Sequence, residues 1–95
     1  MNDELFQWDD ANILHLAEHD VAPEEAEEVM LGEPIEVDFE VVDGEDRWSY
    51  VGETSERRIL RVVMTVRGER TRILTAFKPS TRSRLLYLRE KAGEL

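Results

Sequence analysis

A chain of 95 residues has room for one hydrophobic core and one small site, which excludes the two-lobed cleft of most larger enzymes. It has no cysteine, so a disulfide framework and a thiolate metal site are excluded too, and a net charge of −10 opposes long-range attraction to nucleic acid. That total hides a division: residues 1–46 hold 17 of the 22 acids and no Lys or Arg, whereas residues 47–95 set 12 Lys and Arg against 5 acids. The halves are thus −17 and +7, and they either neutralise each other in the fold or keep a basic surface for a polyanion or an acidic partner.

The opening MNDELFQWDD is acidic and lacks the basic flank and apolar run of a signal peptide. No later run is long and apolar enough to span a bilayer, so the expectation is a cytoplasmic protein with no membrane partner. Trp8, Ile13, Leu16 and Ala17 recur at helical spacing behind Asp9 and Asp10, either of which suits an N-cap or first turn. A helix is expected over residues 10–19. In VAPEEAEEVM, Pro23 takes a favoured first helical position, acids follow at the positive end of the dipole, and the helix closes before Gly32.

PIEVDFEVV, residues 34–42, alternates Ile35, Val37, Phe39 and Val41 against Glu36, Asp38 and Glu40, the period of a strand with one wet face. Asp43-Gly44 is the turn after it. RWSYVGET and RILRVVMTV read as further strands, and Arg67-Gly68-Glu69 joins the latter to RTRILTAF as a hairpin. The closing KPSTRSRLLYLREKAGEL offers Ser80 as an N-cap and carries Leu85, Leu86 and Leu88 before Gly93. These leucines cover more than one helix face, which fits either a wide buried contact or a partner-binding surface.

The expected fold class is α+β: a four-stranded antiparallel sheet with two N-terminal helices and one C-terminal helix. No repeat, low-complexity segment or linker divides residues 1–95, so one domain is expected, its core including Trp8, Ile13, Leu16, Val62, Met64 and Leu74.

HLAEH places His15 and His19 four apart around Glu18, the H-x-x-E-H spacing of inverzincin zinc helices. Zinc catalysis needs three protein ligands, and only Glu90 and Glu94 near the C-terminus are acids distant enough to supply the third, so no metal and no cofactor are expected. On a helix Asn12, His15 and His19 share a stripe, where the imidazoles serve either as hydrogen-bonded ties to the sheet or as an acid–base pair.

The run Trp8-Asp9, Asn12, His15, His19, Val21, Glu24, Glu25, Glu27, Glu28, Val29 resembles the opening of the BrnT-type toxin family. RWSYVGET, ILRVVMTVRG, RTRILTA and the closing Arg84 and Tyr87 are similar to that family in order and spacing, over nearly the entire chain. The resemblance implies a ribonuclease toxin of a type II toxin–antitoxin pair, with a compact RelE-like fold, an RNA substrate and a cognate antitoxin. Cutting RNA without a metal takes a base for the 2′-hydroxyl, an acid for the leaving 5′-oxygen and cations for the phosphorane. His15 and His19 are then candidates for base and acid, Arg72, Lys78, Arg82 and Arg84 for phosphate, and Tyr87 for base stacking or proton donation, with Asn12 beside the substrate.

The chain departs from the family pattern at Phe77, where an arginine is usual, at Ser83, where a glutamate is usual, and at Leu85 and Leu86, which are often basic. Hence the alternative: a toxin-fold interaction module without nuclease activity that binds a protein through its basic half. No helix–turn–helix pattern is visible, so DNA is reached only through the antitoxin. Self-association into a homodimer stays open.

Overall fold

The computed structural model describes residues 1–93. Its elements follow in the order α1 (Asp10–Ala17), α2 (Pro23–Leu31), β1 (Ile35–Val42), β2 (Glu45–Glu53), β3 (Ile59–Arg67), β4 (Arg70–Phe77) and α3 (Thr81–Lys91). The strands form one antiparallel meander, β1-β2-β3-β4, so the α+β arrangement expected from the sequence is the one that forms. Among the described residues no helix is long and apolar enough to cross a membrane.

Alternation along β3 turns Leu60, Val62 and Met64 to one face of the sheet, opposite Gly52, Tyr50 and Trp48 of β2. There α1, the segment after it and α2 deliver Leu16, Val21, and Ala26 with Val29, which join Phe6, Leu60, Val62, Ile73 and Ala76 in the core. Gly52 permits the close approach of α2, since a Cβ there would stand 2.9 Å from Val29 Cγ1 and 3.1 Å from Pro34 Cβ. Leu16, Val62 and Met64 are buried as expected, while Trp8 and Ile13 are half-buried at the margin.

Leu74 is the correction to the expected core. Pairing jumps from Val63↔Thr75 to Met64↔Ile73, so Leu74 is the extra residue of a β-bulge and Ile73, fully buried, takes the core position instead. A second bulge at Val37 moves Ile35 to the opposite face of β1 from Phe39 and Val41, which are 48% and 58% exposed. The N-terminal arm covers the outer edge of β4: Gln7 N–H donates to Thr71 O at 2.9 Å and Thr71 N–H donates to Leu5 O at 2.8 Å. Glu27, buried in α2, fastens that arm by accepting from the Asn2 backbone N–H and from Trp8 Nε1 at 2.6 Å.

The opposite face carries a row of arginines, Arg47 on β2, Arg61 and Arg67 on β3, and Arg70 and Arg72 on β4. α3 crosses the β2 end of this face and is anchored there by Tyr87, its one buried residue, whose hydroxyl donates to Glu53 at 3.0 Å. All six ion pairs among the described residues join an acid from residues 1–46 to a base from residues 47–91. The charge division therefore serves in part to neutralise one half with the other.

Candidate active-site groove

α1 begins where Asp9, in extended conformation, accepts a hydrogen bond from Asn12 N–H at 3.2 Å while Asn12 Oδ1 accepts from Asp9 N–H at 2.8 Å. Asn12 is 2% exposed, and both hydrogens of its amide are taken by backbone carbonyls, Gln7 O at 2.8 Å and Ile73 O at 3.0 Å. The residue expected beside the substrate thus ties α1 to the edge of β4 and also belongs to the lining of the adjoining cavity. Asp9 completes the seam: its carboxylate accepts a two-point ion pair from Arg72, at 3.0 and 3.1 Å. That guanidinium, with the Asn12 N–H second, holds the Asp9 carboxyl below the usual carboxylate range.

Fixed this way, α1 walls a cavity of about 280 Å³ lined by Ala11, Asn12, His15, Arg47, Val63, Arg72, Leu74 and Thr75. The Leu74 bulge contributes directly, because the extra residue belongs to the cavity lining and not to the core. His15 is solvent-exposed at the rim, and Arg47 and Arg72 are both partly covered, the former paired to Glu45 at 3.1 Å. An imidazole able to move a proton thus stands with two guanidiniums able to hold an anion.

His19 does not share the helix with His15. α1 ends at Ala17, and Asp20 adopts a φ of +57°, so the expected helix to residue 19 stops earlier and His19 lies in the turn. Its ring packs against Phe77, with centroids 5.6 Å apart, so the two imidazoles accompany β4 one after the other, with His15 alone lining the cavity. Lys78, Arg82 and Arg84 are exposed after β4 and on the first turns of α3, outside the cavity lining. Tyr87 is 3% exposed, and burial followed by its bond to Glu53 pushes its hydroxyl up to about 12. In this geometry it anchors α3, and its ring has no open face on which a base can stack.

Arg47 and Thr75 are the polar lining residues that the motifs do not single out. Arg47 had a signal, being the first cation after 46 residues without one, but its place beside Val63 and Thr75 depends on strand register. Among the described residues no three His, Cys, Asp or Glu converge as a metal site, and Glu94, one of the two distant acids considered as a third ligand, lies outside them.

A family model described as ribonuclease toxin, BrnT, of type II toxin–antitoxin system matches residues 8–82 of the chain. No curated protein matches it at a significant level.

Proposed function

The chain belongs to the BrnT family of ribonuclease toxins of type II toxin–antitoxin systems, and from that premise we propose that it cuts RNA in the groove between α1 and the sheet. The observation that carries this reading is the meeting of His15, from the acidic half, with Arg47 and Arg72, from the basic half, around one cavity. In the proposed reaction one imidazole takes the 2′-hydroxyl proton, and the oxygen attacks the adjacent phosphorus. The P–O5′ bond breaks, the 5′-oxygen leaves with a proton from the second acid, and a 2′,3′-cyclic phosphate remains. His15 is the group at the cavity, His19 the second acid or base along β4, and Arg47 and Arg72 stabilise the phosphorane. Lys78, Arg82 and Arg84 hold flanking phosphates, with the cognate antitoxin as partner and the cytoplasm as site of action.

Metal-independent chemistry is part of the proposal, and it rests on the donor set: the groove offers one imidazole, with the Asp9 carboxylate at its edge already occupied by Arg72. Expression of the lone chain is expected to arrest growth, and His15→Ala with His19→Ala to relieve the arrest while circular dichroism stays unchanged. Loss of one general acid or base costs about 10²–10⁴ in rate, enough to show as uncut RNA in a chelator-treated cleavage assay. A wild-type chain that is tolerated by cells and leaves RNA intact with no inhibitor bound overturns the nuclease reading. Phe77, standing where the family pattern has an arginine and packed on His19, would then mark a toxin fold retained for protein binding.

A further inference from the structure

We infer that the outer surface of α3 is a docking site for an acidic amphipathic helix of a protein partner; the identification of that partner as the antitoxin rests on the reading above. The helix is inverted with respect to ordinary packing. Its buried residue is Tyr87, whereas Leu85, Leu86 and Leu88 are 45%, 41% and 39% exposed. Arg82, Leu85, Leu86 and Arg89 fall at i, i+3, i+4 and i+7, so the leucines lie between two guanidiniums on one stripe.

Charge selects the kind of partner. Among the described residues six cations are spent on ion pairs within the fold, and of the other six, Lys78, Arg82, Arg84 and Arg89 gather on α3 and the segment leading into it. A chain of net charge −10 thus collects four of these six cations beside its exposed leucines. RNA is held by cations together with aromatic rings, and leucine side chains offer nothing to phosphate or base edges. A partner helix with leucine-like anchors and flanking carboxylates satisfies both components of the surface. A second copy would have to offer β1, which carries exposed Phe39 and Val41 among acids, but Asp38 is already engaged with Arg61 and with the Phe39 N–H. α3 lies across the same sheet face as the groove, and none of its residues lines the cavity.

The test uses the full chain and three labelled probes in fluorescence anisotropy: a helical peptide with leucines at i, i+3, i+4 and i+7 and glutamate elsewhere, its lysine counterpart, and a single-stranded RNA oligonucleotide. The glutamate peptide is expected to bind, the lysine peptide not. Leu85→Gln with Leu86→Gln should weaken the glutamate peptide by about tenfold or more while RNA affinity stays within about twofold, and Arg82→Gln with Arg89→Gln should flatten its salt dependence. Equal binding of both peptides, no effect of the leucine pair, or parallel loss of RNA affinity overturns the inference. Concentration-dependent self-association in sedimentation, abolished by the leucine pair, also overturns it and assigns the surface to a second copy. RNA cleavage and growth arrest report on the nuclease reading alone, so either reading can fail while the other stands.

Discussion

α1 and α3 are both short helices laid against one sheet, and they are attached in opposite ways. α1 buries Leu16 completely and is sewn to β4 by three hydrogen bonds, Asn12 to Ile73 O and the two-point Asp9–Arg72 pair. α3 buries only Tyr87 and turns its leucines outward. Proton transfer needs its donor and acceptor groups held in place, because a misplacement of about 1 Å can cost about 10² in rate, whereas a docking surface needs only to be accessible. The contrast separates a helix built to position a side chain from a helix built to be covered.

That contrast can be broken most directly at Asn12. Asn12→Ala leaves the carbonyls of Gln7 and Ile73 without their donors in a buried seam, and a loss of about 3 kcal/mol is expected in urea unfolding. A loss below about 1 kcal/mol would mean that α1 is held by apolar packing alone. Next in size come two pH effects of opposite sign. The Tyr87 hydroxyl is raised above its unfolded value of 10.0 to about 12 by burial and by Glu53, so the stability it contributes is complete below pH 10 and is lost as pH climbs toward 12. Absorbance of tyrosinate should therefore show both tyrosines ionising above the free value, Tyr50 because of burial and Glu36, with loss of α3 helicity accompanying the Tyr87 step alone. Asp9 is depressed by Arg72, so its contribution is present above the unfolded carboxylate value of 3.8 and disappears as pH falls below it. Loosening of α1 in acid, read by amide exchange, should vanish in Asp9→Asn; persistence would assign it to another carboxylate. The smallest effect is expected at Leu86→Gln, within about 0.5 kcal/mol of wild type in the same urea assay, and a larger loss would show that the leucines pack against the fold.

Legibility in the sequence followed periodicity. All seven elements could be placed because strands alternate and helices repeat over several residues, and Asp9, Pro23 and Ser80 mark helix starts. The bulges at Val37 and Leu74 could not, since neither is announced by glycine or proline and each inverts the facing of the residues beyond it. This is why Leu74 was expected in the core and lines the groove instead. The end of α1 was equally hidden, because Asp20 reaches a left-handed φ that the composition of HLAEHD does not single out. The candidate site was legible as residue types, imidazole and guanidinium, but not as a set. Arg47 joins it through register with β3, and Tyr87 leaves it because α3 buries its aromatic ring in preference to three leucines.

The seam between α1 and β4 also determines when the groove can exist during synthesis. Asn12 must meet Ile73, 61 residues later, and Asp9 must meet Arg72, 63 residues later, so the wall and floor cannot join until β4 has left the ribosomal tunnel. Until Arg47 emerges, the nascent segment is a polyanion with no internal counter-charge, and it is repelled by the ribosomal RNA around the tunnel mouth. A chain whose translation stops before residue 70 therefore has no assembled groove, because the strand that carries Arg72 and Ile73 has not been made.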